Sequence, residues 1–150
     1  EIYTLPLHDA LPICARKRAY TYVDDGIDAL MSIIDNKGGV ADKRIYNIGN
    51  PRNSHSVKEL ADMMLKIANS MPEYSANAKK VKLLEVSADD YYGKGYQDVE
   101  NRLPSVEHTR KELGWEPKVD MQTALQKLFE FYRGDVGKAR ELAEETNTGG

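Results

Sequence analysis

The sequence predicts a mixed α/β chain that forms the end of a larger α/β protein. Short β-branched and aromatic runs alternate with helical-period segments in the order β-α-β-α-β-loop-α-α. A strand-helix-strand opening implies a parallel pair joined by a right-handed crossover. Two such strands are too few for a parallel sheet, which normally carries helices on both faces.

Residues 20–23, Tyr-Thr-Tyr-Val, read as the first strand. Asp24 then caps a helix whose Ile27, Leu30, Met31 and Ile34 share one face, and Gly38-Gly39 stops it. Residues 44–48 read as a second strand, closed by the turn chemistry of Gly49-Asn50-Pro51. Ser56 and Glu59 form an S-x-x-E capping box ahead of a helix that carries Val57, Leu60, Ala61, Met64, Leu65 and Ala68. A polar, proline-containing connection over 71–80 leads to a third strand over 81–86. Residues 87–103 lack an apolar period and read as a loop, long enough to suggest a function. Ser105 caps a short helix that ends at Gly114. Asp120 caps another with Met121, Leu125, Leu128 and Tyr132 on one face. Beyond Arg133 the run is polar and reads as a frayed tail.

Composition excludes several classes. The chain has 150 residues, 41% of them apolar, with 21 Lys+Arg against 24 Asp+Glu. That balance gives no global field for nucleic acid, and no apolar run approaches the length of a spanning helix. Neither nucleic-acid binding nor membrane insertion is expected, and the location expected is cytoplasmic. A lone cysteine makes no internal disulfide and implies no oxidising compartment.

The first fourteen residues stand apart. They hold no Lys or Arg, carry Pro6 and Pro12, and have neither the basic start nor the apolar stretch of a signal peptide. Residues 3–13 read instead as the translation of a common sequencing adapter, one base different at Pro6. Residues 1–14 are therefore expected to be non-native, and His8 and Cys14 lose any catalytic claim.

Chemistry concentrates in two places. Arg16-Lys17-Arg18 can clamp a phosphate or carboxylate, although spacing alone favours a solvated strand edge. Residues 91–102, Tyr-Tyr-Gly-Lys-Gly-Tyr-Gln-Asp-Val-Glu-Asn-Arg, set tyrosines that stack on a base or sugar beside an arginine that pairs with a diphosphate. A mobile surface loop is the bland alternative, and the density of aromatic and basic groups favours a ligand. Trp115, between a helix stop and a proline, reads as a packing plug. His55 and His108 have no companions at metal-ligand spacing, so no metal is expected. No P-loop, G-x-S-x-G, G-x-G-x-x-G or Tyr-x-x-x-Lys occurs.

Three segments resemble the C-terminal part of extended short-chain dehydrogenases/reductases acting on nucleotide sugars. They are Arg-Ala-Tyr-Thr-Tyr-Val-Asp-Asp at 18–25, Asn-Ile-Gly-Asn-Pro at 47–51 and Leu-Gly-Trp-Glu-Pro at 113–117. Within that superfamily, residues 91–105 closely resemble UDP-glucuronic acid oxidative decarboxylases of the ArnA type, a family of lipid A aminoarabinose modification and polymyxin resistance. The resemblance covers about 16–133. It implies a Rossmann-type fold, with this chain contributing its end and most of the smaller substrate-binding subdomain. The domain division implied is residues 1–14 as the foreign segment, 15–133 as the C-terminal part of an NAD-dependent epimerase/dehydratase-type domain, and 134–150 as tail.

The activity implied is oxidation of UDP-glucuronate at C4 followed by loss of CO2, giving a UDP-4-keto-pentose. Arg102 stands where the family has its proposed proton donor, Tyr96 where a tyrosine binds substrate, and Lys17 and Arg18 in the UDP-sugar segment. Asn101 and Leu103 depart from the family's His and Lys. The NAD loop, the Tyr-x-x-x-Lys pair and the catalytic glutamate all precede this region in the family. NAD is therefore expected to bind the missing N-terminal half, the chain alone to be inactive, and the parent to be a homo-oligomer. UDP-apiose/UDP-xylose synthase or another nucleotide-sugar epimerase/dehydratase is the alternative enzyme, and a non-catalytic UDP-sugar binding module the alternative class.

Overall fold

The computed structural model describes residues 17–84 and 101–134. The expected foreign segment at 1–14, the strand end at 85–86, most of the tyrosine-glycine run at 91–100 and the tail from 135 lie outside these residues. The described part is mixed α/β. Its elements are β1 (Lys17–Ala19), α1 (Val23–Asp35), β2 (Ser54–Ser56), α2 (Val57–Ser70), α3 (Pro72–Ala78), β3 (Asn101–Arg102), α4 (Glu107–Leu113) and α5 (Met121–Phe131). One three-stranded sheet runs in the order β2-β1-β3, with β1 antiparallel to β2 and parallel to β3.

The strand expected at 20–23 sits three residues earlier. Strand identity needs a pairing partner, and β2 and β3 pair with 17–19. Tyr20 and Tyr22 pack instead against the cluster of Ile67, Met121, Ala124 and Leu125. Helix α1 accordingly starts at Val23 with Tyr22 in the cap position, two residues before the expected Asp24, and no side chain caps it. Residues 44–48 have strand composition but no ladder partner among the described residues. They are tied to α4 instead: Thr109 Oγ1 donates to the Asn47 carbonyl at 2.7 Å, and Tyr46 Oη lies 2.7 Å from Glu112 Oε2. The expected parallel pair thus forms between β1 and the distant β3, not between β1 and 44–48. The 71–80 connection contains helix α3, which tolerates Pro72 because a first-turn proline lacks only an N–H that would be unpaired anyway. Residues 81–84 form no strand.

Other expectations hold. Ser56 and Glu59 close the capping box, with Glu59 N donating to Ser56 Oγ at 3.1 Å and Ser56 N to Glu59 Oε2 at 2.8 Å. Asp120 caps α5 by accepting from Thr123 N at 2.8 Å. Gly114 ends α4 at φ 65°, a conformation that favours glycine. Helix α4 itself starts one residue later than expected, with Val106 rather than Ser105 in the cap position and no side-chain cap. At the Asn50 turn, Asn53 N donates to Asn50 O at 3.0 Å. Gly49 is required there by space, because a Cβ would lie 2.6 Å from Pro104 Cγ.

Two apolar clusters form among the described residues. One joins α2 to α5 through Ile67, Met121, Ala124 and Leu125. The other joins Ala29 of α1 to Val106 and Trp115. Trp115, 5% exposed, is the plug the sequence implied. Its Nε1–H donates to the Asp25 carbonyl at 2.9 Å, and Asp25 Oδ2 accepts from the backbone N–H groups of Lys118 and Val119 at 3.1 and 3.0 Å. Val119 O in turn accepts from the side-chain amides of Asn50 and Asn53, both at 3.0 Å.

Helix α1 thus turns Asp25 and Ala29 inward. Its apolar stripe of Val23, Ile27, Leu30, Met31 and Ile34 is exposed, Ile34 to 71%.

Two outcomes test these contacts. Asp25→Ala leaves the part-buried N–H groups of Lys118 and Val119 without their acceptor and should cost roughly 1–3 kcal/mol. Asp25→Asn keeps an acceptor and should cost clearly less, both read from thermal or urea melts. Glu59 is held below the ordinary carboxylate range, chiefly by the Ser56 N–H it accepts and then by the nearby Lys17 and His55 charges. A lowered folded-state value means stability that is present above the ordinary value of 4.5 and lost as pH falls through the folded one. Glu59→Gln keeps the cap, so its melts should be less acid-sensitive than the parent's below about pH 5.

Candidate functional site

Three short strands assemble the site. β1 carries Lys17 and Arg18, two of the candidate binding residues. In the β1–β3 register Arg18 stands opposite Arg102, and in the β1–β2 register it stands opposite His55. Directly opposed residues share a face of the sheet, so His55, Arg18 and Arg102 form one row across all three strands. The period of two along a strand sends Lys17 to the other face. Lys17 is aligned there with Ser56 and Asn101, and its Nζ lies 3.6 Å from Glu59 Oε1. Arg18 is half-buried, its Nη1 donating to the Lys17 carbonyl at 3.1 Å, while Arg102 is exposed. Tyr96, the fourth candidate, lies outside the described residues.

The row explains why Arg102 needs a strand rather than a free loop. Pairing with β1 fixes a guanidinium from the end of the 87–103 segment beside one from the start of the chain. Like charges directly opposed are destabilising on their own. Two guanidiniums at neighbouring positions grip a diphosphate or carboxylate through several charge-assisted hydrogen bonds, which offsets that repulsion. Sequence reading missed His55 as a member. Ser54-His55-Ser56 has little β character, and only the pairing with β1 puts the imidazole beside Arg18.

The row's β1 member is followed by an open, mostly apolar groove of about 270 Å³, walled by Tyr20, Tyr22, Met121 and Leu128. Lys127 Nζ sits 4.8 Å above the Tyr22 ring at its rim. Aromatic and apolar walls of this kind accept the face of a flat ring.

A dinucleotide cradle needs a glycine-rich turn between strand and helix, so that backbone N–H groups approach a pyrophosphate. The β1–α1 connection, Tyr20-Thr21-Tyr22, has none. Among the described residues that connection offers NAD no such cradle. Among the described residues no three His, Cys, Asp or Glu side chains cluster as metal ligands, and no helix is long and apolar enough to cross a membrane.

Arg102→Ala removes one of the two arginines that stand opposite each other in the β1–β3 register. The stabilisation that inorganic pyrophosphate gives the unaltered chain should shrink in the variant. A variant that keeps the full pyrophosphate shift would exclude Arg102 from the anion row.

No family model matches the chain. Among solved structures it is similar to the crystal structure of PbgP3 protein from Burkholderia pseudomallei, at 49% sequence identity and a TM-score of 0.75. The match covers 87% of this chain and 35% of PbgP3, so the chain spans about a third of the length of that neighbour.

Proposed function

We propose that the chain is the C-terminal part of an ArnA-like, NAD-dependent UDP-glucuronic acid decarboxylase. The observation that carries this reading is the cross-strand row of Arg18 and Arg102, two residues that the family resemblance had separately pointed to. The PbgP3 neighbour supports the same nucleotide-sugar and lipid A modification theme. The solvent-facing apolar stripe of α1 supports the partial nature of the chain. A helix of an α/β protein lays such a stripe on a sheet, and none of the described strands lies beneath it.

In this reading Arg18 binds the diphosphate of the UDP-sugar and Lys17 helps to hold the segment through Glu59. Tyr96 contacts the sugar. Arg102 faces the carbon that loses CO2. A guanidinium stays protonated at any working pH, which makes it a poor acid but a constant positive charge. Its contribution is to stabilise the enolate left as CO2 departs and to deliver a hydrogen bond where the proton is returned. NAD is held by residues outside this chain, and none of the steps assigned to the present residues passes through it.

The isolated chain should bind UDP-glucuronate, with Arg18→Ala and Arg102→Ala each weakening it by about ten-fold or more in calorimetry. It should form no NADH when NAD is added. In the full-length enzyme Arg102→Ala should lower kcat by about 10²–10³ with release of UDP-4-keto-pentose as the product of the parent. Reduced pentose products from the parent enzyme would instead assign it to the UDP-apiose/UDP-xylose synthase class. Loss of neither affinity nor turnover in both variants would overturn the reading.

A further inference from the structure

Resting on the reading of Arg18 and Arg102 as the grip on a nucleoside-diphosphate sugar, we propose that His55 is a third anion-contacting residue. It takes the part of the ligand's charge that lies over β2. Adjacent strands are about 4.8 Å apart, so the three-residue row spans roughly 10 Å, the reach of a diphosphate with its attached sugar. His55 sits at one end of that row, Arg102 at the other and Arg18 between them.

The imidazole is set for a ligand rather than for the core. Its side chain is 26% exposed, and Nδ1 lies 3.9 Å from Glu59 Oε2, beyond hydrogen-bond range. That carboxylate oxygen already accepts from Ser56 N at 2.8 Å. The imidazole itself makes no hydrogen bond to another of the described residues. The elements packed against β2 are β1 and α2. From them Arg18 of β1 stands opposite His55, Glu59 of α2 lies beside the ring, and Lys17 of β1 reaches the same carboxylate at 3.6 Å. Glu59 is the one anion of the group. When a diphosphate replaces part of the repulsion from Arg18, the charged ring gains a second partner. The grip on the ligand therefore tightens as His55 takes up a proton.

UDP-glucose is the probe, because its diphosphate keeps the same charge between about pH 5.5 and about pH 8, where histidine changes state. Calorimetry on the whole chain should give about five-fold or greater tightening at the lower pH. His55→Gln should keep the pH 8 affinity and lose the tightening. His55→Lys, permanently charged, should bind at pH 8 as tightly as the unaltered chain does at the lower pH, and so tests the idea even if the glutamine variant folds poorly. His108→Gln, altered on α4 where His108 pairs with Glu112 at 2.7 Å, should keep the full tightening. A pH-dependence unchanged in His55→Gln overturns the assignment, and if Arg18→Ala still weakens binding the diphosphate reading stands without it. No binding of UDP-glucose at either pH overturns both.

Discussion

The Asp25 carboxylate, 3% exposed in the first turn of α1, ties together parts of the chain that have no other reason to meet. It accepts from the N–H groups of Lys118 and Val119. Its own carbonyl holds the Trp115 indole. The Val119 carbonyl then fixes Asn50 and Asn53, and Asn53 O accepts from Tyr20 N just after β1. One buried acid thus sets the position of the Trp115–Val119 segment and, through it, of the turn that leads into β2. A buried charge persists only when it is satisfied by hydrogen bonds, and here backbone donors from a distant segment provide them. The adjacent Asp24, one residue away, is exposed. The pair looks symmetrical in sequence and is not symmetrical in space.

The cross-strand row of His55, Arg18 and Arg102 inherits its geometry from this frame. β1, β2 and β3 are each two or three residues long and would not persist as a free sheet. They are held because β2 runs directly into the capped start of α2, and α2 packs on α5 through Ile67 and Leu125. Gly49 permits the contact with Pro104, on the irregular segment that leads from Arg102 to α4. The site therefore sits on rigid surroundings although its own strands are minimal. Charge is concentrated there against electrostatic cost, an arrangement that makes physical sense where an anion is bound.

Helix α1 shows the opposite balance. Its polar Asp25 and small Ala29 face the interior, while its large apolar residues face outward. The inward contacts are directional hydrogen bonds and close packing against Trp115. The outward face is a wide apolar surface of the kind that marks an interaction. Hydrophobic period alone defines such a stripe without saying which side of the helix meets the rest of this chain.

Local features were legible in the sequence because their causes are local. The capping box at Ser56 and Glu59, the Asp120 cap, the Gly114 stop, the Asn50 turn and the buried Trp115 all follow from neighbouring side chains and backbone conformation. The mixed α/β class was legible as well. The strands were not. Strand identity is decided by the partner, so tyrosine-rich 20–22 became packing while Ser54-His55-Ser56, with poor β propensity, became a strand. For the same reason the sequence named two arginines, and only the tertiary register set them side by side with His55 between β1 and α2. Pairing across the sheet is a long-range contact, and no spacing along the chain encodes it.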